Sequence, residues 1–74
     1  GVAHWWAQRV SAGALLFLVP WFVVTVVGLL GVDAENARAT LASPLNATLM
    51  LAFVLAVTWH ARLGLQVVIE DYIH

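Results

Sequence analysis

From Val10 to Val32 the chain runs 23 residues without a charge. At 1.5 Å per residue a helix of that length covers about 34 Å, enough to cross a hydrocarbon core of about 30 Å with modest tilt. This run constrains the fold more than any other feature, because backbone groups in lipid must be satisfied within the segment, and a helix does that locally. Pro20 sits in the middle of the run and removes one backbone donor, so a kink is expected there, of a kind that neighbouring helices or Ser/Thr groups accommodate in a membrane. Gly13, Gly28 and the alanines offer surfaces for close approach of other helices.

A second span begins near Ser43-Pro44, which reads as a cap followed by proline at the first helical position. It carries no charge from Leu49 to Trp59 and becomes more polar from Thr58 onward. A helix facing lipid on all sides would not carry that polarity, so part of this surface faces protein or a cofactor. The expected architecture is all-α, a transmembrane helical hairpin, with helix 1 over about 8–32, a polar loop over about 33–43 that has room for a helical turn, and helix 2 over about 44–71. One membrane-anchor domain, 1–74, accounts for the chain. No repeat, low-complexity tract or strand-like alternation is present.

Composition agrees and removes several function classes. With 64% hydrophobic residues, 9% charged residues and no lysine, the chain lies far from the roughly 25% charge of a water-facing domain. A chain this short cannot bury a large core of its own, so it depends on a partner or a cofactor. The absence of cysteine excludes disulfides, thiolate metal sites and iron–sulfur ligation within it, which leaves histidine and carboxylate for any metal chemistry. A formal net charge of -1 gives no basic footprint for nucleic acid. The chain opens on Gly1 rather than methionine, which reads as a fragment or a processed product, and no signal peptide is legible. Arg9 on the amino-terminal flank, against one arginine and two acids in the connecting loop, favours an amino terminus on the cytoplasmic side. Trp5 and Trp6 fall where indole rings prefer the membrane–water boundary.

His60 is the first candidate for chemistry. It lies about 16 residues after Pro44 and 12 before Tyr72, near mid-membrane, where an ionisable group is costly and usually functional. With a helix turning 100° per residue, Leu49, Phe53, Gly64, Val67 and Asp71 fall within about 40° of His60. That face offers an imidazole, a missing side chain one turn on, and a carboxylate at the end. Gly64 leaves room for a flat macrocycle, and a neutral imidazole with a free nitrogen is a common axial ligand of haem iron. A proton relay is a competing function, and a histidine bonded to a neighbouring helix is the purely structural reading.

Asp71 and Tyr72 lie near the membrane edge, where a phenol donor oriented by a carboxylate suits a polar head group such as a quinone carbonyl. An ordinary interfacial tyrosine beside a solvated acid explains the same pair. Glu70 reads as solvated. Arg62 points about 160° from His60 and either snorkels to the boundary or pairs with a carboxylate on another helix. Arg9, beside Trp6, Gln8 and Ser11, suits a haem propionate, since its planar fork matches a carboxylate, and serves equally well as a topology anchor. His4 reads as exposed.

The stretch His60-Ala-Arg-Leu-Gly-Leu-Gln-Val-Val-Ile-Glu-Asp71-Tyr72, with the amino-terminal His4-Trp-Trp-Ala-Gln-Arg9-Val-Ser11-Ala, resembles the small hydrophobic membrane-anchor subunit, of cytochrome b type, of succinate dehydrogenase, respiratory complex II. The histidine, the glycine four residues later and the Asp-Tyr at the eleventh and twelfth positions carry the resemblance, which covers almost the whole chain. It implies that His60 is one axial ligand of haem b, with the second histidine from the companion anchor subunit. It implies Tyr72 hydrogen-bonding a ubiquinone carbonyl, Asp71 supporting that site, and Arg9 near the haem propionates and the quinone pocket. It also implies partnership with an iron–sulfur subunit and a flavoprotein subunit, electron transfer from succinate to ubiquinone, and residence in a bacterial cytoplasmic membrane or the mitochondrial inner membrane. Subunits of this family have three transmembrane helices, so a third is expected in the full subunit. The competing functions are a fumarate reductase anchor using menaquinone and a pigment-binding or structural membrane hairpin; two spans and the boundary Asp-Tyr count against the latter.

Overall fold

The computed structural model describes residues 1–73; the anchor domain read over 1–74 ends on His74, which lies outside them. Three helices follow one another: α1 (Val2–Gly28), α2 (Ala34–Ala42) and α3 (Pro44–Tyr72). The first and last are both long and apolar enough to cross a membrane. Ser11 of α1 meets His60 of α3, and further along α1 Phe22 stacks on Phe53, with ring centroids 4.5 Å apart and planes 12° from parallel. Positions advancing along α1 thus meet positions receding along α3. The two long helices form an antiparallel hairpin.

Burial traces how they meet. The buried and half-buried positions recur three or four residues apart, as His4, Ala7, Ser11, Ala14, Leu18, Phe22 and Thr25 on α1 and as Leu49, Phe53, Ala56, His60, Leu63 and Val67 on α3. A 3.5-residue repeat is the seam of a left-handed helix pair. Only Ala56, Leu63 and Ser11 are buried among the described residues, while Phe17 is 78% and Val24 71% exposed. An apolar exterior around so narrow a seam is the inverse of a soluble core helix, and it fits a surrounding of lipid and further helices. Ala7, Ser11 and Ala56 keep the seam thin, as small residues do where membrane helices approach. Gly13 and Gly28 lie on the exposed side of α1, off the contact with α3, so whatever close approach they permit is to another helix.

The ends differ from the sequence reading in instructive ways. Helix α1 starts at Val2 rather than near residue 8, because the Trp-rich segment that suits the membrane boundary contains nothing to stop a helix: the Trp5 N–H bonds to the Gly1 carbonyl, and Arg9 lies one turn from Trp5, its guanidinium 4.9 Å from the indole centroid. It ends at Gly28 rather than at 32, where Gly31 adopts a φ of 79° and turns the chain, a conformation that costs glycine little. Helix α1 continues through Pro20.

The polar loop expected over 33–43 is mostly α2. Asp33 caps it, its carboxylate accepting from the Asn36 backbone at 3.2 Å and from the Asn36 side chain at 2.6 Å. Ser43 closes α2 and opens α3: its hydroxyl donates to the Thr40 carbonyl and accepts from the Asn46 N–H, with Pro44 in the first turn beyond. Asn46 donates from its side chain to the same Thr40 carbonyl. The short helix is thus tied to the start of α3.

The hydrogen bonds from Asn36 hold the Asp33 carboxyl below its ordinary pKa. A lowered folded-state pKa gives stabilisation that is present above the unfolded value and lost as pH falls through the folded one. Protection of the Asn36 amide, measured against its intrinsic exchange rate, is therefore expected to fall as the solution is acidified below the usual aspartate range. Asp33→Asn keeps a capping oxygen and should remove that acid-dependent step; an identical acid profile in the variant would refute the assignment.

Candidate functional site

His60 sits on the seam face of α3, between Phe53 and Val67, and is half-buried. Its Nδ1 lies 2.8 Å from the Ser11 hydroxyl, and that hydroxyl also reaches the Gln8 carbonyl at 3.1 Å. Ser11 is 1% exposed. The ring therefore has one nitrogen engaged inside the hairpin. Nε2 has no hydrogen bond among the described residues and is not an enclosed atom, so it opens onto the hairpin's surface.

One turn along, Gly64 is half-buried, and a Cβ built on it would meet nothing within 4 Å. The α1–α3 contact therefore does not require glycine here. Space is left next to the imidazole that the hairpin itself does not use. Among the described residues no group of three or more His, Cys, Asp or Glu side chains converges. One imidazole with an outward Nε2 and a vacant glycine position beside it is what half of a bis-histidine haem site needs from one chain. The residues fit the group.

Asp71 and Tyr72 are both exposed at the end of α3, Tyr72 at 84%. They lie on the last turn, 12 residues or about 18 Å along the helix from His60, at the end of the hairpin where α1 begins. The structure does not bring them into contact with His60. Nor does it bring Arg9 there: Arg9 is exposed, about 160° around α1 from Ser11 by helical geometry, and its guanidinium packs over Trp5. Trp5 and Trp6 form an edge-to-face pair with centroids 5.0 Å apart, which completes an aromatic and cationic cluster at the same end as Asp71 and Tyr72. Arg62 and Gln66 lie with Glu70 along another side of α3, lining an open cleft.

Two residues carry more than the sequence reading gave them. Ser11 is the direct partner of the histidine, and its signal is a polar residue at a seam position within an uncharged span. His4, read as exposed, is half-buried, and its Nε2 is enclosed without a hydrogen-bond partner among the described residues. The signal for His4 is its place seven residues before Ser11, two turns away on the same face of α1.

Comparison with known proteins agrees with this arrangement. Residues 1–74 match the family described as succinate dehydrogenase/fumarate reductase transmembrane subunit. The chain is 35% identical over 72 residues to a succinate dehydrogenase hydrophobic membrane anchor subunit of Paracoccus denitrificans, covering 97% of this chain and 56% of that protein. It is 36% identical over 73 residues to the subunit so named in Rickettsia bellii, covering 99% of this chain and 58% of that one. It is 31% identical over 77 residues to a succinate dehydrogenase membrane anchor subunit of Reclinomonas americana, covering 100% of this chain and 64% of that one. The chain thus spans somewhat more than half the length of these relatives. No solved structure matches. A full-length match to the family, on a hairpin of two apolar helices with a histidine on its seam, makes this chain a member of the succinate dehydrogenase/fumarate reductase transmembrane subunit family.

Proposed function

We propose that this chain is the anchor subunit of a succinate:quinone oxidoreductase, contributing one axial ligand of a haem b and one wall of a quinone site. The observation that carries the reading is His60: a seam histidine with Nδ1 bonded to Ser11 and Nε2 left open beside the vacant space at Gly64. When bound, haem b supplies one-electron exchange at a fixed iron. The part of this chain is to hold an imidazole in place, to leave a flat group room against α3, and to exclude water with the apolar seam on either side. The second histidine comes from the companion anchor subunit, as the resemblance to the family implies.

The quinone site is at the boundary. Tyr72 donates a hydrogen bond to a carbonyl of ubiquinone, the substrate, and Asp71 on the same turn orients that phenol and passes protons from water. Their exposure supports this role, because a site that receives electrons from the soluble subunits at the membrane edge must be open on the anchor's own surface. Arg9 serves the same end of the hairpin. Its guanidinium, fixed over Trp5, pairs with a haem propionate reaching the boundary, where a planar fork binds a carboxylate well. The complex resides in a bacterial cytoplasmic membrane or the mitochondrial inner membrane, with a third helix in the whole subunit. The relatives' names favour succinate oxidation over the fumarate reductase alternative using menaquinone.

The test is quinone reduction by the complete membrane complex carrying Tyr72→Phe. Removing one positioned donor is expected to lower succinate:ubiquinone reductase activity about tenfold to a hundredfold, while succinate oxidation with a soluble artificial acceptor stays at the wild-type rate. Unchanged quinone reduction would remove Tyr72 from the site.

A further inference from the structure

The Ser11 hydroxyl touches two acceptor-capable atoms and has one proton to share between them. It lies 3.1 Å from the Gln8 carbonyl and 2.8 Å from His60 Nδ1. If that proton went to His60, Oγ and the carbonyl oxygen would face each other within hydrogen-bond distance with no hydrogen between them, and a buried unpaired contact of that kind is costly. If the proton goes to Gln8, both contacts are satisfied, because Oγ accepts a hydrogen from Nδ1. A ring protonated on both nitrogens has no lone pair left for a metal, so the ligand form is the neutral one. Ser11 is 1% exposed, so bulk water has little access to rearrange the network.

We infer that Ser11 is a positioning residue: its hydroxyl holds His60 as the Nδ1–H tautomer, fixes the plane of the ring, and so presents Nε2 as the lone-pair donor to iron. The inference rests on the haem reading of His60 and adds the residue that prepares the ligand. Two helices share the task. Ser11 comes from α1 and His60 from α3, so closing the hairpin in its correct register is also what sets the tautomer. The hydrogen bond has an electronic consequence besides orientation. An Nδ1–H that donates to oxygen makes the ring more basic at Nε2, which favours the oxidised over the reduced iron. The acceptor is itself polarised, because its own proton is drawn toward the Gln8 carbonyl.

The test uses the assembled membrane complex with Ser11→Ala and Ser11→Thr, read by potentiometric titration of the b-type band and by low-temperature EPR of the oxidised iron. Alanine removes the acceptor with little change in seam volume, whereas threonine keeps a hydroxyl able to bond both Gln8 and His60. In the alanine variant the reduction equilibrium is expected to shift toward the reduced form by about threefold to tenfold, the upper figure being about 59 mV for a one-electron couple. The g-values are expected to change as the ring is freed to turn, and threonine is expected to return both readouts toward wild type. Should alanine yield an assembled complex without haem, recovery of haem by threonine supports the role and failure to recover it overturns it. An alanine complex with full haem, wild-type potential and wild-type g-values overturns the inference while leaving His60 as ligand. Persistence of the b-type band in His60→Ala, by contrast, overturns the haem reading and the role of Ser11 with it.

Discussion

The membrane complex carrying His60→Ala is expected to lose the b-type band from its dithionite-reduced minus oxidised spectrum, while the anchor still inserts and assembles. On the proposed haem reading, loss follows from the donor set of the described residues. His4 is not a substitute, since it lies on α1 two turns from Ser11 with its Nε2 enclosed, and the chain's one methionine, Met50, lies ten residues or about 15 Å along α3 from position 60. On the proposed two-histidine site, a haem left with a single protein ligand would have lost half of what orients it. Continued assembly follows from how little else His60 does: its one hydrogen bond among the described residues goes to Ser11, which keeps the Gln8 carbonyl as a partner. The net cost to the hairpin is therefore on the order of 1 kcal/mol, as for a typical hydrogen bond. The measurement is the spectrum at equal complex content. A band of wild-type height and potential would return His60 to a structural residue.

Much of this arrangement is legible in the sequence because hydrophobic span length and helical phase are local properties. Two spans follow from charge-free runs, Ser43-Pro44 marks the start of α3, and the face shared by Phe53, His60, Gly64 and Val67 follows from counting by 100°. What the sequence hides is the register between the spans. Nothing in the periodicity of α1 states that Ser11, rather than a residue a turn away, meets His60, because register depends on how α2 and the turn at Gly31 bring the helices together. For the same reason the sequence alone does not say that Arg9, two residues from Ser11, lies off the seam. In three dimensions, two residues along a helix is more than half a turn, and Arg9 faces away toward Trp5. The early start of α1 is hidden for another reason: tryptophans that locate a membrane boundary do not end a helix, and a span defined by absence of charge necessarily begins after Arg9.

Gly64→Leu is expected to have opposite effects on the hairpin and on the complex, which makes it the sharpest probe of what fills the space beside His60. For the hairpin alone the substitution is favourable. A Cβ at this position meets nothing within 4 Å, and replacing glycine inside a helix with a good helix former stabilises it by up to about 1 kcal/mol. Circular dichroism of the chain in detergent should therefore show equal or greater helicity. If a macrocycle lies against α3 at that point, an isobutyl group one turn from the ligand occupies its place. Relief by a small shift is limited, because His60 is held to Ser11 on the other helix. Haem content per assembled complex is then expected to fall by about tenfold or more, on the scale of losses caused by disturbing the shell around a metal group. Gly64→Ala, adding a single methyl, should fall between the two. If the leucine variant keeps full haem at the wild-type potential, the space at Gly64 belongs to lipid or to a partner helix. If helicity falls instead, glycine is needed for α1 and α3 themselves, contrary to the open surroundings of its Cα. Only loss of haem with the hairpin intact identifies the missing side chain as room kept for a group the chain does not itself supply.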